Sequence, residues 1–217
     1  MEIKNIILDI DGTLWNTTEI VAEAWNRAIA EEGYQNDIYV DARRLQSLFG
    51  KTMDVIADLL FQGVPEDIKK RLLEKCCEYE QQALAGQDFD ILYPQVRETI
   101  ASLSERKKLY IVSNCQSGYI ELFMHKNKLE PYIQDKECFG DTGRGKGENI
   151  GLLLQRNHLD KEETVYVGDT QGDKEASNEA GIAFVYAAYG FGSVEAYDAK
   201  IDSFGELASL AKSGFGH

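Results

Sequence analysis

Four short apolar runs punctuate the chain, at residues 3–8, 109–112, 164–167 and 182–186. Each is rich in β-branched side chains and bounded by turn or charged residues, the pattern of parallel strands buried on both faces. Between the later runs, apolar residues recur at helical spacing. Val96, Ile100 and Leu103 predict a helix over 94–103, and Ile120, Phe123 and Met124 one over 119–129. Ile150, Leu153 and Leu154 predict a helix over 148–156, and a short one over 173–180 stops at Gly181. Strand and helix alternate, so the fold class is α/β, a doubly wound parallel sheet. Short strands at 137–139 and near 200–201 extend it.

One stretch breaks the alternation. From 16 to 87 every pattern is helical: 19–32 ending at Gly33, then 40–48, 52–60 and 65–84. A parallel crossover needs only one helix. The expectation is therefore a core of residues 1–15 and 88–217 and an inserted α-helical subdomain at 16–87.

Charge narrows the partners. Lys and Arg total 23 against 37 Asp and Glu, a net charge of −14 among 217 residues. Such a chain repels nucleic acid and anionic membranes. A small anionic ligand is still compatible, because a local cation or helix N-terminus can reverse the field in one cleft. Cys76, Cys77, Cys115 and Cys138 show no metal-binding spacing and read as reduced thiols. No apolar run reaches transmembrane length and no leader pattern is visible, so the expectation is a soluble cytoplasmic protein. No motif specifies an oligomeric state.

In open α/β sheets, ligands sit beyond the carboxyl ends of the strands. The first run ends in Asp9-Ile10-Asp11-Gly12-Thr13, the second in Ser113-Asn114, and the third in Gly168-Asp169-Thr170 with Asp173 close behind. Arg144 and Lys146 add cations just before a helix. Clustered hard oxygen donors without His or Cys suit Mg²⁺, which would also offset repulsion among Asp9, Asp11 and Asp169. A carboxylate can attack phosphorus and form an aspartyl-phosphate. A second carboxyl can protonate the leaving alkoxide and then activate water. Taken singly, Ser113-Asn114 also reads as a helix N-cap, Lys146 as a solvated lysine and Asp173 as a helix opener.

Together, Asp9-Ile10-Asp11-Gly12-Thr13-Leu14, Ser113-Asn114, Lys146 and Gly168-Asp169-Thr170 with Asp173 resemble the four motifs of the haloacid dehalogenase-like hydrolase superfamily. The helical insert resembles that family's α-helical cap, and the whole is similar to its phosphoglycolate phosphatase-like branch. The resemblance implies Asp9 as nucleophile and metal ligand, and Asp11 as general acid/base with its carbonyl on Mg²⁺. It implies Asp169 as the third protein ligand and Asp173 in support of the waters or of Lys146. Ser113, the Asn114 N–H and Lys146 would hold phosphoryl oxygens. The chain departs from the family pattern at Asn16, where an acidic residue is frequent, at Gln95 after Pro94, where glycine is usual, and at Gly147, where proline is usual.

The implied activity is Mg²⁺-dependent hydrolysis of a small phosphorylated metabolite. A dehalogenase fits less well, since that chemistry dispenses with a metal and with the acid/base at Asp11. The nearer alternatives are a sugar phosphomutase of the same fold and a non-catalytic phosphometabolite-binding module. A phosphonate hydrolase would need a cap lysine. Lys51, in the break Gly50-Lys51-Thr52, is the candidate for it and for substrate specificity. His125, His158 and His217 show no partner pattern and read as surface residues, and Trp15 and Trp25 as packing.

Overall fold

The computed structural model describes residues 2–34, 38–88 and 90–214. Six strands form one sheet in the order β3-β2-β1-β4-β5-β6, all parallel. They are β1 (Asn5–Leu8), β2 (Lys108–Ser113), β3 (Ile133–Cys138), β4 (Thr164–Gly168), β5 (Ala183–Ala187) and β6 (Ala199–Ile201). The doubly wound α/β expectation holds. β3 runs from Ile133, longer than the predicted 137–139, because its sequence IQDKEC carries polar side chains on an edge strand. A segment that is apolar only at its ends leaves no apolar run to read.

β1 lies between β2 and β4, with all four residues buried. Leu8 pairs with Ile111 and with Val167, so the residues that follow each strand emerge at one level. Alternation along the strands sends Ile6 and Leu8 into one apolar cluster and Ile7 into another. The second cluster packs Tyr166 and Phe184 against α8 (Lys146–Arg156) and α9 (Gln171–Ala180). The first packs against α5 (Val96–Ser104), α6 (Tyr119–Asn127) and α10 (Glu206–Ser213), and continues into the helices that follow β1. Each fully buried Ile or Leu stabilises the fold by about 1.5–3 kcal/mol relative to exposure.

Those helices are α1 (Thr18–Glu32), α2 (Ala42–Leu48), α3 (Met53–Leu60) and α4 (Glu66–Ala85). α1 ends at Gly33, whose φ of 68° is the left-handed stop. α4 opens with Glu66 and Asp67 at its positive end, and packs Leu72, Cys76 and Leu84 inward against α1. α7 (Phe139–Thr142) is a single turn after β3. The chain leaves and re-enters the sheet layer through two adjacent strands of linker: Asn16 N–H donates to Ile91 O at 3.1 Å, and Tyr93 N–H to Leu14 O at 2.9 Å. Among the described residues no helix is long and apolar enough to cross a membrane.

Candidate active site

Asp9 follows β1 directly and is 2 % exposed. Its N–H is tied to Val167 O at 2.9 Å, which fixes the backbone against β4. Lys146, the first residue of α8, is buried and places Nζ 3.0 Å from Asp9 Oδ1 and 2.5 Å from Asp173 Oδ1. The approach to Asp9 is an ion pair outside hydrogen-bond geometry, so Asp9 Oδ1 is a buried oxygen with no hydrogen-bond partner among the described residues. Burial raises the Asp9 carboxyl to about 7 against the pull of Lys146. Burial also opposes charge on Lys146, but Asp173 and Asp9 overcome it and hold the ammonium well above its ordinary value.

Asp173 is saturated. Its Oδ2 accepts from Asp169 N (3.1 Å), Thr170 N (2.9 Å) and Thr170 Oγ1 (2.7 Å), while Oδ1 takes Lys146. Thr170 in turn caps α9 by accepting from Asp173 N. Helix opener and lysine holder are therefore one residue.

Asp169 is fully buried after β4. Thr13 Oγ1 donates to its Oδ1 at 3.4 Å and Phe191 N–H to its Oδ2 at 2.7 Å. Burial, then Asp173 and Asp9, push its carboxyl well above the usual range. Gly12, at φ 82°, passes so close that a Cβ there would lie 2.2 Å from Asp169 Oδ2. Only glycine meets both conditions.

Oxygens of Asp9, Asp169 and Asp173 lie within 4.8 Å of one another. Three carboxylates against the one Lys146 ammonium give −3 + 1 = −2 when ionised, buried away from water. An Asp9 oxygen with no hydrogen-bond partner among the described residues, hard donors and this charge fit a divalent cation. With Asp173 committed elsewhere, Asp9 and Asp169 are the carboxylates free to hold it. The Asp11 carboxylate is not in this cluster. Its Oδ1 instead accepts from Trp15 Nε1 (3.0 Å), Thr17 Oγ1 (3.1 Å) and Tyr119 Oη (2.8 Å). Loss of hydration raises Asp11 to about 6 in spite of these donors. All three address Oδ1, which leaves Oδ2 to carry a proton.

Ser113 closes β2 and is buried. Asn114 donates Nδ2 to Gly50 O at 2.9 Å, joining the sheet layer to the insert, and its Oδ1 is buried with no partner among the described residues. Lys51 is exposed at the rim of the same cavity that Asp9, Asp11, Ser113 and Asn114 line. Arg144 is exposed. His125 is exposed and faces Glu130, His158 is exposed, and His217 lies outside the described residues.

The three departures have local causes. Asn16 Oδ1 accepts from Thr18 N and Oγ1 at the start of α1. Gln95 occupies a left-handed φ of 65° before α5, where glycine would be unstrained. Gly147 lies where a Cβ would meet Glu179 Oε2 at 2.1 Å, so α8 and α9 can approach closely.

Residues that sequence reasoning missed are Trp15, Thr17 and Tyr119, which hold Asp11, and Glu80. Glu80 is 4 % exposed, lines the cavity, and accepts from Trp25 Nε1 at 2.8 Å and Gln116 Nε2 at 3.1 Å. Its signal was legible: the buried stripe of α4 is Leu72, Cys76, Glu80 and Leu84, a charge in an apolar row of period four.

A model of the haloacid dehalogenase-like hydrolase family matches residues 6–187. The phosphoglycolate phosphatase of Vibrio parahaemolyticus is 27% identical over 223 residues, covering 96% of this chain and 96% of that protein. A crystal structure from Haemophilus somnus, described as a predicted phosphoglycolate phosphatase, has a TM-score of 0.84 at 21% identity and covers 97% of this chain and 98% of its own. A hydrolase of the haloacid dehalogenase-like family from Streptococcus pneumoniae has a TM-score of 0.80 at 20% identity, with 98% and 99% covered. At these identities the two structures speak for the fold.

Proposed function

The chain belongs to the haloacid dehalogenase-like hydrolase family, and on that premise we propose that it is a cytoplasmic Mg²⁺-dependent phosphatase of a small phosphomonoester. The phosphoglycolate phosphatase relatives support phosphomonoester hydrolysis as the reaction class. Residues 1–15 and 88–217 form the catalytic core in this reading, and 16–87 the cap over it.

The observation that carries the reading is Asp9: a buried carboxylate, one oxygen without a hydrogen-bond partner, held beside Lys146 in a cavity at the sheet's carboxyl edge. Asp9 and Asp169 would hold Mg²⁺, with the Asp11 carbonyl as a further ligand; when bound, the ion neutralises charge on the phosphoryl oxygens. Lys146 favours the ionised form of Asp9 and, with Ser113 and the Asn114 N–H, meets the phosphoryl oxygens. An Asp9 oxygen attacks phosphorus, and the bond from phosphorus to the leaving oxygen breaks. Protonated Asp11 gives its proton to that oxygen. Asp11 then takes a proton from the water that attacks the phosphoryl group, which frees Asp9 and returns Asp11 to its starting form. Asp173 positions Lys146.

Phosphate release from a panel of small phosphomonoesters, with Mg²⁺ and with EDTA, tests this beside Asp9→Asn. Release that needs both the ion and Asp9 is expected; release by Asp9→Asn at a comparable rate would contradict the reading.

A further inference from the structure

The cavity next to Asp9 is walled on the cap side by Glu80, a residue the hydrolytic step does not use. A buried carboxylate is costly unless its oxygens are satisfied. Glu80 has one donor on each oxygen, Trp25 from the cap and Gln116 from the core. A carboxylate offers about four acceptor positions, so capacity is left on both oxygens. Nearby, Asn114 Oδ1 is a second buried acceptor, and it has no partner among the described residues. Its assignment as oxygen follows from Nδ2, which is engaged with Gly50 O. Of the described residues lining the cavity, Lys51 is the one cation, and it is exposed at the rim. The interior wall opposite the reacting carboxylates thus offers hydrogen-bond acceptors and negative charge.

A leaving group that settles against that wall must bring donors. A hydroxyl-bearing carbon chain does so. A carboxylate does the reverse, placing a second negative group beside Glu80 with only a solvated lysine to answer it. Like-charge juxtaposition in such a setting is unfavourable. The cavity is narrow, with about 30 Å³ of free space, which favours a small leaving group.

We propose that Glu80 is a specificity-determining residue that accepts a hydrogen bond from a hydroxyl of the leaving group and disfavours leaving groups bearing a carboxylate. The preferred substrate is then the phosphomonoester of a small polyol or sugar, in contrast to the name carried by the Vibrio relatives. The inference rests on the phosphatase reading above.

Glycerol phosphate and phosphoglycolate form a matched pair for the test, hydroxyls in one standing where the other has a carboxylate. Measured with Mg²⁺ at pH 8, above the value of about 7 to which burial raises Glu80, kcat/KM should favour glycerol phosphate by about tenfold or more. Glu80→Gln keeps an acceptor and removes the charge. It should shrink that ratio by about tenfold, mainly through a lower KM for phosphoglycolate. A ratio taken within one preparation is independent of how much protein is folded, so a purely structural role for Glu80 would leave it unmoved. Wild-type preference for phosphoglycolate, or an unchanged ratio in Glu80→Gln, would overturn the assignment while leaving the phosphatase reading intact. Absence of release from both esters and from p-nitrophenyl phosphate would overturn the phosphatase reading, and the inference with it.

Discussion

Lys146 Nζ stands 3.0 Å from Asp9 Oδ1, and it is held there by a 2.5 Å contact to Asp173 rather than by Asp9 itself. Lys146→Met should therefore act twice. It leaves three buried carboxylates without their cation, which destabilises the fold by about 3 kcal/mol in urea denaturation. It also removes a charge from the proposed phosphoryl site, which should lower kcat by about a hundredfold or more. A variant of wild-type stability and rate would show that the lysine is a bystander.

Gly12 carries a steric constraint that can be tested separately from charge. Gly12→Ala puts a methyl group on Asp169 Oδ2 at a left-handed φ. The expected loss is about 1–3 kcal/mol in thermal or urea unfolding, together with weaker metal dependence of activity. An alanine variant that melts like wild type would mean that the Gly12 loop can move aside.

Tyr119 touches the proposed acid, Asp11. Its hydroxyl donates to Asp11 and favours the ionised carboxylate. Tyr119→Phe removes that donor, so the Asp11 value rises further above about 6. If protonated Asp11 is needed for the leaving group, kcat/KM falls as pH rises through this value. In Tyr119→Phe that descending limb should move up by about one pH unit. A limb that stays in place would remove Asp11 from the acid role.

The sheet was legible because β1, β2, β4 and β5 are largely apolar runs, and the first three are closed by the residues that carry the motifs. The edge strand β3 was read only at its end, since IQDKEC has no core-facing run. Spacing could place Asp9, Ser113, Lys146 and Asp169 at strand and helix ends, because register alone aligns those ends. It could not say which way Asp11 turns. That depends on Trp15, Thr17 and Tyr119, residues whose sequence context is that of ordinary packing. Glu80 left a signal, a charge in the buried row of α4, but its partners Trp25 and Gln116 are 55 and 36 positions away and meet it only in the folded chain.

Glu80 also gives stability a pH dependence. Its folded value of about 7 lies above the ordinary 4.5, because burial disfavours the charge. The folded state thus binds more protons than the unfolded chain in that interval. Its contribution to stability is full below about 4.5, declines as pH rises, and is gone above about 7. Glu80→Gln should flatten the part of the decline that belongs to this residue. Parallel stability curves for the two proteins between pH 4.5 and pH 7, by urea denaturation, would show that Glu80 does not titrate in this way.

The central claim is a covalent bond between Asp9 and phosphorus. The direct measurement is an acid quench of the enzyme turning over a small phosphomonoester with Mg²⁺, followed by peptide mass spectrometry. The account predicts a phosphoryl adduct on the Asp9 peptide, absent from Asp9→Asn and diminished by EDTA. Steady release of phosphate with no adduct at Asp9, or with the adduct on another residue, would contradict it.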